Sequence, residues 1–174
     1  YELLLVPKKK SKAAMVIESL VYVAFTILIA AILIVFVVQR TDVVGHSMES
    51  TLSNKDSLLV DKISYRVRKP ERFEIIVFRY LHQNNTHYIK RIIGLPGETV
   101  LIDDGNIYID GELLEEDYGL ERIKEEGLAG VPIVLGEDEY FVLGDNRNHS
   151  TDSRFADVAN IKKEQIIGRA WLRI

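Results

Sequence analysis

The sequence predicts a mainly β protein: an antiparallel β domain preceded by one N-terminal transmembrane helix. Three observations carry that expectation. The run SLVYVAFTILIAAILIVFVVQ, 19–39, holds no charged residue; from residue 56 onward, short stretches rich in Val, Ile, Leu and aromatics alternate with turn residues; and two Asp-Gly pairs fall between such stretches.

The apolar run comes first. At about 1.5 Å per helical residue it spans roughly 30 Å, the thickness of a bilayer's hydrocarbon core. A cleavable signal peptide has a shorter apolar region, about 7–15 residues, and a small-residue cleavage site. A buried core helix with no polar face needs protein on every side, more than the roughly 135 following residues supply. Lys8, Lys9, Lys10 and Lys12 precede the run, and only Arg40 and Asp42 follow it closely. Positive-inside bias then puts the N-terminus in the cytoplasm. The expected organisation is a cytoplasmic segment 1–12, an anchor 13–39 and an extracytoplasmic domain 40–174. The chain opens at Tyr1, which suits a trimmed or processed N-terminus.

The strand-like stretches follow in order: SLLVDKISY, FEIIVFRY, THYIKRIIG, ETVLIDD, NIYIDGEL, EYFVLGD and IIGRAWLRI. Asp104-Gly105 and Asp110-Gly111 suit two-residue hairpin turns. The segment 113–139 breaks the pattern. From Asp103 to Glu139 thirteen acidic residues face only Arg122 and Lys124, and GLERIKEEGLAG suits a short helix or lid. A solvated insertion between strands is the expectation there.

Composition excludes some chemistry. A net charge of -4 with no basic stripe in the soluble part argues against a nucleic-acid partner. No cysteine means no disulfide framework, no thiolate metal site and no thiol nucleophile. No cofactor and no metal are expected. Asn84-Asn85-Thr86 and Asn148-His149-Ser150 match the glycosylation pattern by chance.

The stretch VVGHSMESTL presents Ser47 as a nucleophile on a tight turn, which raises the question of its base. Glu49 breaks the GxSxG pattern, SxxK is absent, and the side chain of His46 on an extended backbone points away from that of Ser47. His82, His87 and His149 lack a triad-like context. Lys90, in HYIKRIIGLPGE, shares a strand face with Tyr88 and Ile92. Keeping a lysine neutral at pH 7 costs roughly 4.6 kcal/mol from its free value. Burial shifts of about 3–5 units supply that much, whereas a snorkelling edge lysine would stay charged. A third stretch, GDNRNHSTDSRFAD, gathers Asp145, Arg147, Ser150, Asp152, Ser153 and Arg154 after a strand. It reads either as a polar loop held by Asx turns and an Asp–Arg pair, or as hydroxyls able to orient an uncharged lysine. The glycine and distal glutamate of an EF-hand are missing.

GHSMESTL, DSLLVDK, YIKRIIGLPGE and GDNRNHSTDSR, in this order behind an anchor, resemble the bacterial type I signal peptidases, membrane-bound serine proteases with a serine-lysine dyad. The resemblance extends over 43–174. It implies Ser47 as nucleophile, Lys90 as general base, Met48 shaping the dyad, and Ser150 as the hydroxyl that orients Lys90. Asp145 would hold the loop, while Asp152, Arg154 and Arg91 would form an ion-pair cluster bracing the site. Some members carry a serine where Gly45 stands; here, in the Gram-positive style, a main-chain donor would complete the oxyanion hole. The implied substrates are secretory preproteins with small residues, typically alanine, at positions -1 and -3. The implied setting is the outer face of a bacterial plasma membrane, with the lipid bilayer as the other partner. Oligomeric state stays open. Two alternatives differ in class: a self-cleaving repressor-type relative, which would carry a DNA-binding region in place of the apolar run, and a catalytically inactive anchored binding module of the same fold. The endoplasmic-reticulum form has histidine where this chain has Lys90, which favours a bacterial or organellar enzyme.

Overall fold

A computed structural model describes residues 11–83, 86–119 and 121–174. Tyr1, the basic flank of Lys8, Lys9 and Lys10, and Asn84 with Asn85 lie outside them.

Helix α1, Lys12–Val37, opens where Ser11 Oγ accepts the Ala14 N–H at 3.1 Å. Two of its hydroxyls are turned back on the helix: Ser19 Oγ donates to Met15 O at 3.0 Å and Thr26 Oγ1 to Tyr22 O at 2.9 Å. Such bonds remove the cost of polar groups in an apolar medium. The stretch Lys12–Ala31 is long and apolar enough to cross a membrane, and none of it is buried within the protein. A core helix would be covered.

The helix stops at Val37, two residues before the uncharged run ends. Val38 and Gln39 belong to strand β1, Val38–Asp42, which pairs antiparallel with β2, Ser57–Asp61. Apolar composition does not decide helix against strand when ladder partners are present.

A one-turn helix α2, Ser64–Val67, precedes β3, Ile75–Arg79, and β4, His87–Gly94. β5, Thr99–Asp103, β6, Asn106–Ile109, and β7, Glu112–Leu113, form a meander. β8, Ile133–Val134, β9, Glu139–Leu143, β10, Ile161–Lys162, and β11, Ile166–Arg173, complete the domain. A seven-stranded sheet runs β1-β2-β11-β3-β4-β9-β10 and a four-stranded one β7-β6-β5-β8, all their pairings antiparallel.

The two tight hairpins of the four-stranded sheet fall on the Asp-Gly pairs. Asp103 pairs with Asn106 around Asp104 (φ 44°) and Gly105 (φ 71°), and Ile109 pairs with Glu112 around Asp110 (φ 51°) and Gly111 (φ 84°). Positive φ at both central positions is the type I′ turn, whose twist matches the strands. Strand alternation then builds two cores on one ladder. Ile92, Tyr140 and Val142 pack with Ile76 and Phe78 on one face; Ile93, Phe141 and Leu143 pack against Val100, Ile102 and Ile107 of the small sheet on the other.

The acidic segment departs from expectation. Instead of a short helix it holds one 3₁₀ turn, Gly127–Gly130, and, while most of its described residues face solvent, it is also stitched to the loop after β9. Arg147 pairs with Glu116 at 2.6 Å, Asn148 Oδ1 accepts the Lys124 N–H at 3.0 Å, Arg154 Nη1 donates to Glu125 O at 2.9 Å, and Leu128 N–H donates to Arg154 O at 2.8 Å. The Lys124 N–H, the Glu125 carbonyl and the Leu128 N–H are engaged by these contacts, groups that an i→i+4 ladder would have used.

Candidate active site

Two segments meet at the site. One is the turn between β1 and β2, closed by Glu49 N–H to His46 O at 3.2 Å and by Thr51 and Leu52 N–H to Met48 O at 2.9 and 2.8 Å. Apolar residues root it: Val43, Met48, Leu52 and Leu58 are buried together, with Ile75, Ile89 and Ala170 packed against them. Met48 and Ile89 are the chain neighbours of Ser47 and Lys90, so one apolar cluster seats both.

The other segment is β4. Lys90 faces Ile76 across the ladder, its Nζ lies 5.2 Å from the Tyr88 ring centre, and the residue is 4% exposed. Nζ donates to Ser47 Oγ at 2.8 Å and to Ile89 O at 3.1 Å. β9 pairs with β4 only from Arg91 onward, so Ile89 is left outside that ladder. Removal of water pushes the Lys90 pKa down to about 8, and the charges of Asp152 and Asp145 only partly offset that burial. Ser47 and Lys90 open on a cleft of about 550 Å³, lined also by Val43, Val44, Val77, His149 and Thr151.

No histidine hydrogen-bonds Ser47 among the described residues. His46 Nδ1 lies 2.7 Å from Glu49 Oε1 at the exposed rim, and His82 rests against Tyr80. His87 and His149 line the cleft.

The bracing residues are buried but grouped differently from the expected cluster. Arg91 does not join Asp152 and Arg154. It grips Asp145 in bidentate fashion, Nε to Oδ1 at 2.8 Å and Nη2 to Oδ2 at 2.6 Å, donates to Phe73 O at 2.8 Å, and stacks 3.7 Å from the Tyr118 ring centre. Arg154 pairs with Asp152, Nε to Oδ1 at 2.8 Å, while Asp152 Oδ2 also accepts the Gly144 N–H at 3.1 Å. The alternation that turns Lys90 toward Ile76 turns Arg91 to the opposite face, where Asp145 stands.

Two supporting roles also differ. Gly45, with φ 103°, commits its own N–H to Asn54 Oδ1 at 3.1 Å, so it does not offer that donor to an oxyanion. The Ser47 N–H makes no hydrogen bond among the described residues. Ser150 Oγ is buried without a hydrogen-bond partner among the described residues and does not bond Lys90, whose Nζ is engaged by Ser47 and Ile89.

Sequence reasoning missed three contributors. Asn146 donates its N–H to Ser47 O at 3.0 Å and its Nδ2 to His46 O at 3.1 Å; Thr51 Oγ1 donates to Asp145 Oδ2 at 2.5 Å; and Glu116 pairs with Arg147. Close approach explains Gly144: a Cβ there would stand 2.3 Å from Ser150 Oγ and 2.4 Å from Ser47 O. Only the motif GDNR hinted at this loop, and nothing local hinted at Glu116.

The family model described as "Signal peptidase, peptidase S26" matches residues 16–174. The chain is 43% identical over 144 residues to the probable signal peptidase I-2 of Synechocystis sp., covering 79% of this chain and 63% of that protein. It thus spans less than two thirds of that relative's length. It is 38% identical over 163 residues to signal peptidase I of Leptolyngbya laminosa, covering 90% of this chain and 78% of that one. The crystal structure of a signal peptidase I from Enterococcus faecalis matches with 35% identity and a TM-score of 0.47, covering 59% of this chain and 97% of that one.

Proposed function

Because the chain belongs to the signal peptidase family, peptidase S26, we propose that it is a membrane-anchored serine endopeptidase that removes signal peptides from secretory preproteins. Ser47 is the nucleophile and neutral Lys90 the general base. The observation that carries this reading is the 2.8 Å contact of Lys90 Nζ with Ser47 Oγ, made by an amine with almost no access to water.

With Lys90 neutral, the same contact runs from the Ser47 O–H to the Nζ lone pair. Oγ attacks the scissile carbonyl carbon as its proton passes to Nζ, and the Ser47 N–H supports the oxyanion that forms. The ammonium then returns the proton to the departing amine, leaving an ester on Ser47. Water, deprotonated by the same Nζ, hydrolyses that ester. The apolar helix α1 anchors the chain in a bacterial plasma membrane, N-terminus inside, with the catalytic domain outside where Ala-x-Ala cleavage sites arrive. These residues need neither metal nor cofactor for such chemistry.

The test is cleavage of a preprotein with an Ala-x-Ala site by the detergent-solubilised chain, with Ser47→Ala and Lys90→Ala as comparators. Both variants should lose turnover, and near-wild-type rates in either would refute the pair. The pH profile adds a second check. Only the neutral amine accepts a proton, so kcat/KM should fall on acidification below about pH 8, roughly tenfold per unit. A profile flat well below pH 6 is incompatible with Lys90 as base.

A further inference from the structure

We infer that Glu116, in the acidic segment, is a positioning residue for the reaction: acting through Arg147, it holds the loop 144–150 against the backbone of Ser47. The inference rests on Ser47 and Lys90 being the reacting pair. Glu116 meets Arg147 in a two-point contact, Oε1 to Nη1 at 2.6 Å and Oε2 to Nη2 at 2.7 Å, with side chains 10% and 3% exposed. That fork fixes the guanidinium plane, so Nε is aimed at Gly144 O at 3.1 Å. Gly144 packs close against the nucleophile's backbone, with no room for a Cβ before Ser47 O. Two residues on, Asn146 donates to Ser47 O and His46 O. The neighbouring Asn148 is gripped from the same side, accepting from Lys124 N–H and donating to Arg122 O at 3.0 Å. The acidic segment therefore holds one side of the loop while the other side holds Ser47, and His149 and Thr151 carry the loop into the wall of the cleft beside Lys90.

An ion pair that only fastened the segment to the core would change stability and leave the reacting pair untouched. A positioning pair moves both. The discriminating experiment compares the wild-type chain, Glu116→Gln and the double variant Glu116→Leu/Arg147→Met. It measures preprotein cleavage, thermal unfolding, and titration of Lys90 followed by NMR on labelled lysine. Glu116→Gln should lower kcat on the order of 10- to 100-fold, the usual effect of a small misplacement, with KM little changed. The Lys90 titration should move upward as water reaches Nζ. Exchanging a buried pair for apolar side chains commonly restores stability. The double variant should therefore unfold like wild type yet keep the low kcat, because the bond from Nε to Gly144 O is gone. If Glu116→Gln loses thermal stability alone, with kcat and the Lys90 titration unchanged, Glu116 is only a fastener. Full recovery of kcat in the double variant refutes the inference equally, and that variant decides should Glu116→Gln not fold. If wild type cleaves no preprotein, the proposed function fails, and the Lys90 titration still decides whether Glu116 holds the site.

Discussion

Lys90 and Arg91 are neighbours on β4, both cationic by type and both buried, yet they are treated in opposite ways. Arg91 is met by a bidentate carboxylate, a backbone carbonyl and an aromatic face. Lys90 forms no ion pair among the described residues: it has a hydroxyl, one carbonyl and apolar walls, and the carboxylates nearest in effect, Asp152 and Asp145, are engaged by Arg154 and Arg91. The difference teaches how a base is made from a lysine. Burial without a counterion makes the neutral amine accessible near neutral pH, and the arginines hold the loop carboxylates in their own pairs so that they do not re-charge it.

Substitutions at the two positions should therefore have effects of opposite sign. Arg91→Met leaves Asp145 buried and unpaired, and it should cost about 3–5 kcal/mol of stability in denaturant unfolding at pH 7. A cost near zero would mean that the pair braces nothing. Lys90→Met should do the reverse. Between pH 8 and 10.5 the unfolded chain binds more protons than the folded one, so wild-type stability rises with pH across that window and the full penalty, about 3 kcal/mol, applies below it. The variant, lacking that proton, should be more stable than wild type at pH 7, with the difference vanishing above pH 10.5. A gap independent of pH would show that Lys90 is not the group responsible. The smallest effect belongs to the exposed chain neighbour of Ser47: His46→Ala removes the surface contact with Glu49 and should change stability by less than about 1 kcal/mol, with turnover close to wild type. A large loss of rate there would reopen the question of the base.

Much of the fold was legible because its signals are local. The two Asp-Gly turns needed only residues that tolerate positive φ, and the strand stretches needed only period-two alternation. That alternation also put Tyr88 and Ile92 beside Lys90. The apolar run announced its helix but misplaced its end, because whether Val38 and Gln39 join helix or strand depends on their β2 partners Asp61 and Val60, more than twenty residues away. Gly45 was legible as a special position, whereas the use of its N–H was not, since Asn54 returns to it only after the turn closes.

By itself the sequence determined the apolar helix, the antiparallel strands, and the presence of a serine and a lysine in motifs that resemble one family. Each of these depends on spacing along the chain. Only the tertiary structure decided that Nζ stands 2.8 Å from Oγ, that Arg91 belongs to Asp145 rather than to Asp152, and that the acidic segment grips the loop at Arg147. Those partners lie between 31 and 54 residues apart. Their meeting depends on strand register and on which face of β4 a side chain leaves, and these are settled by packing two cores on one sheet.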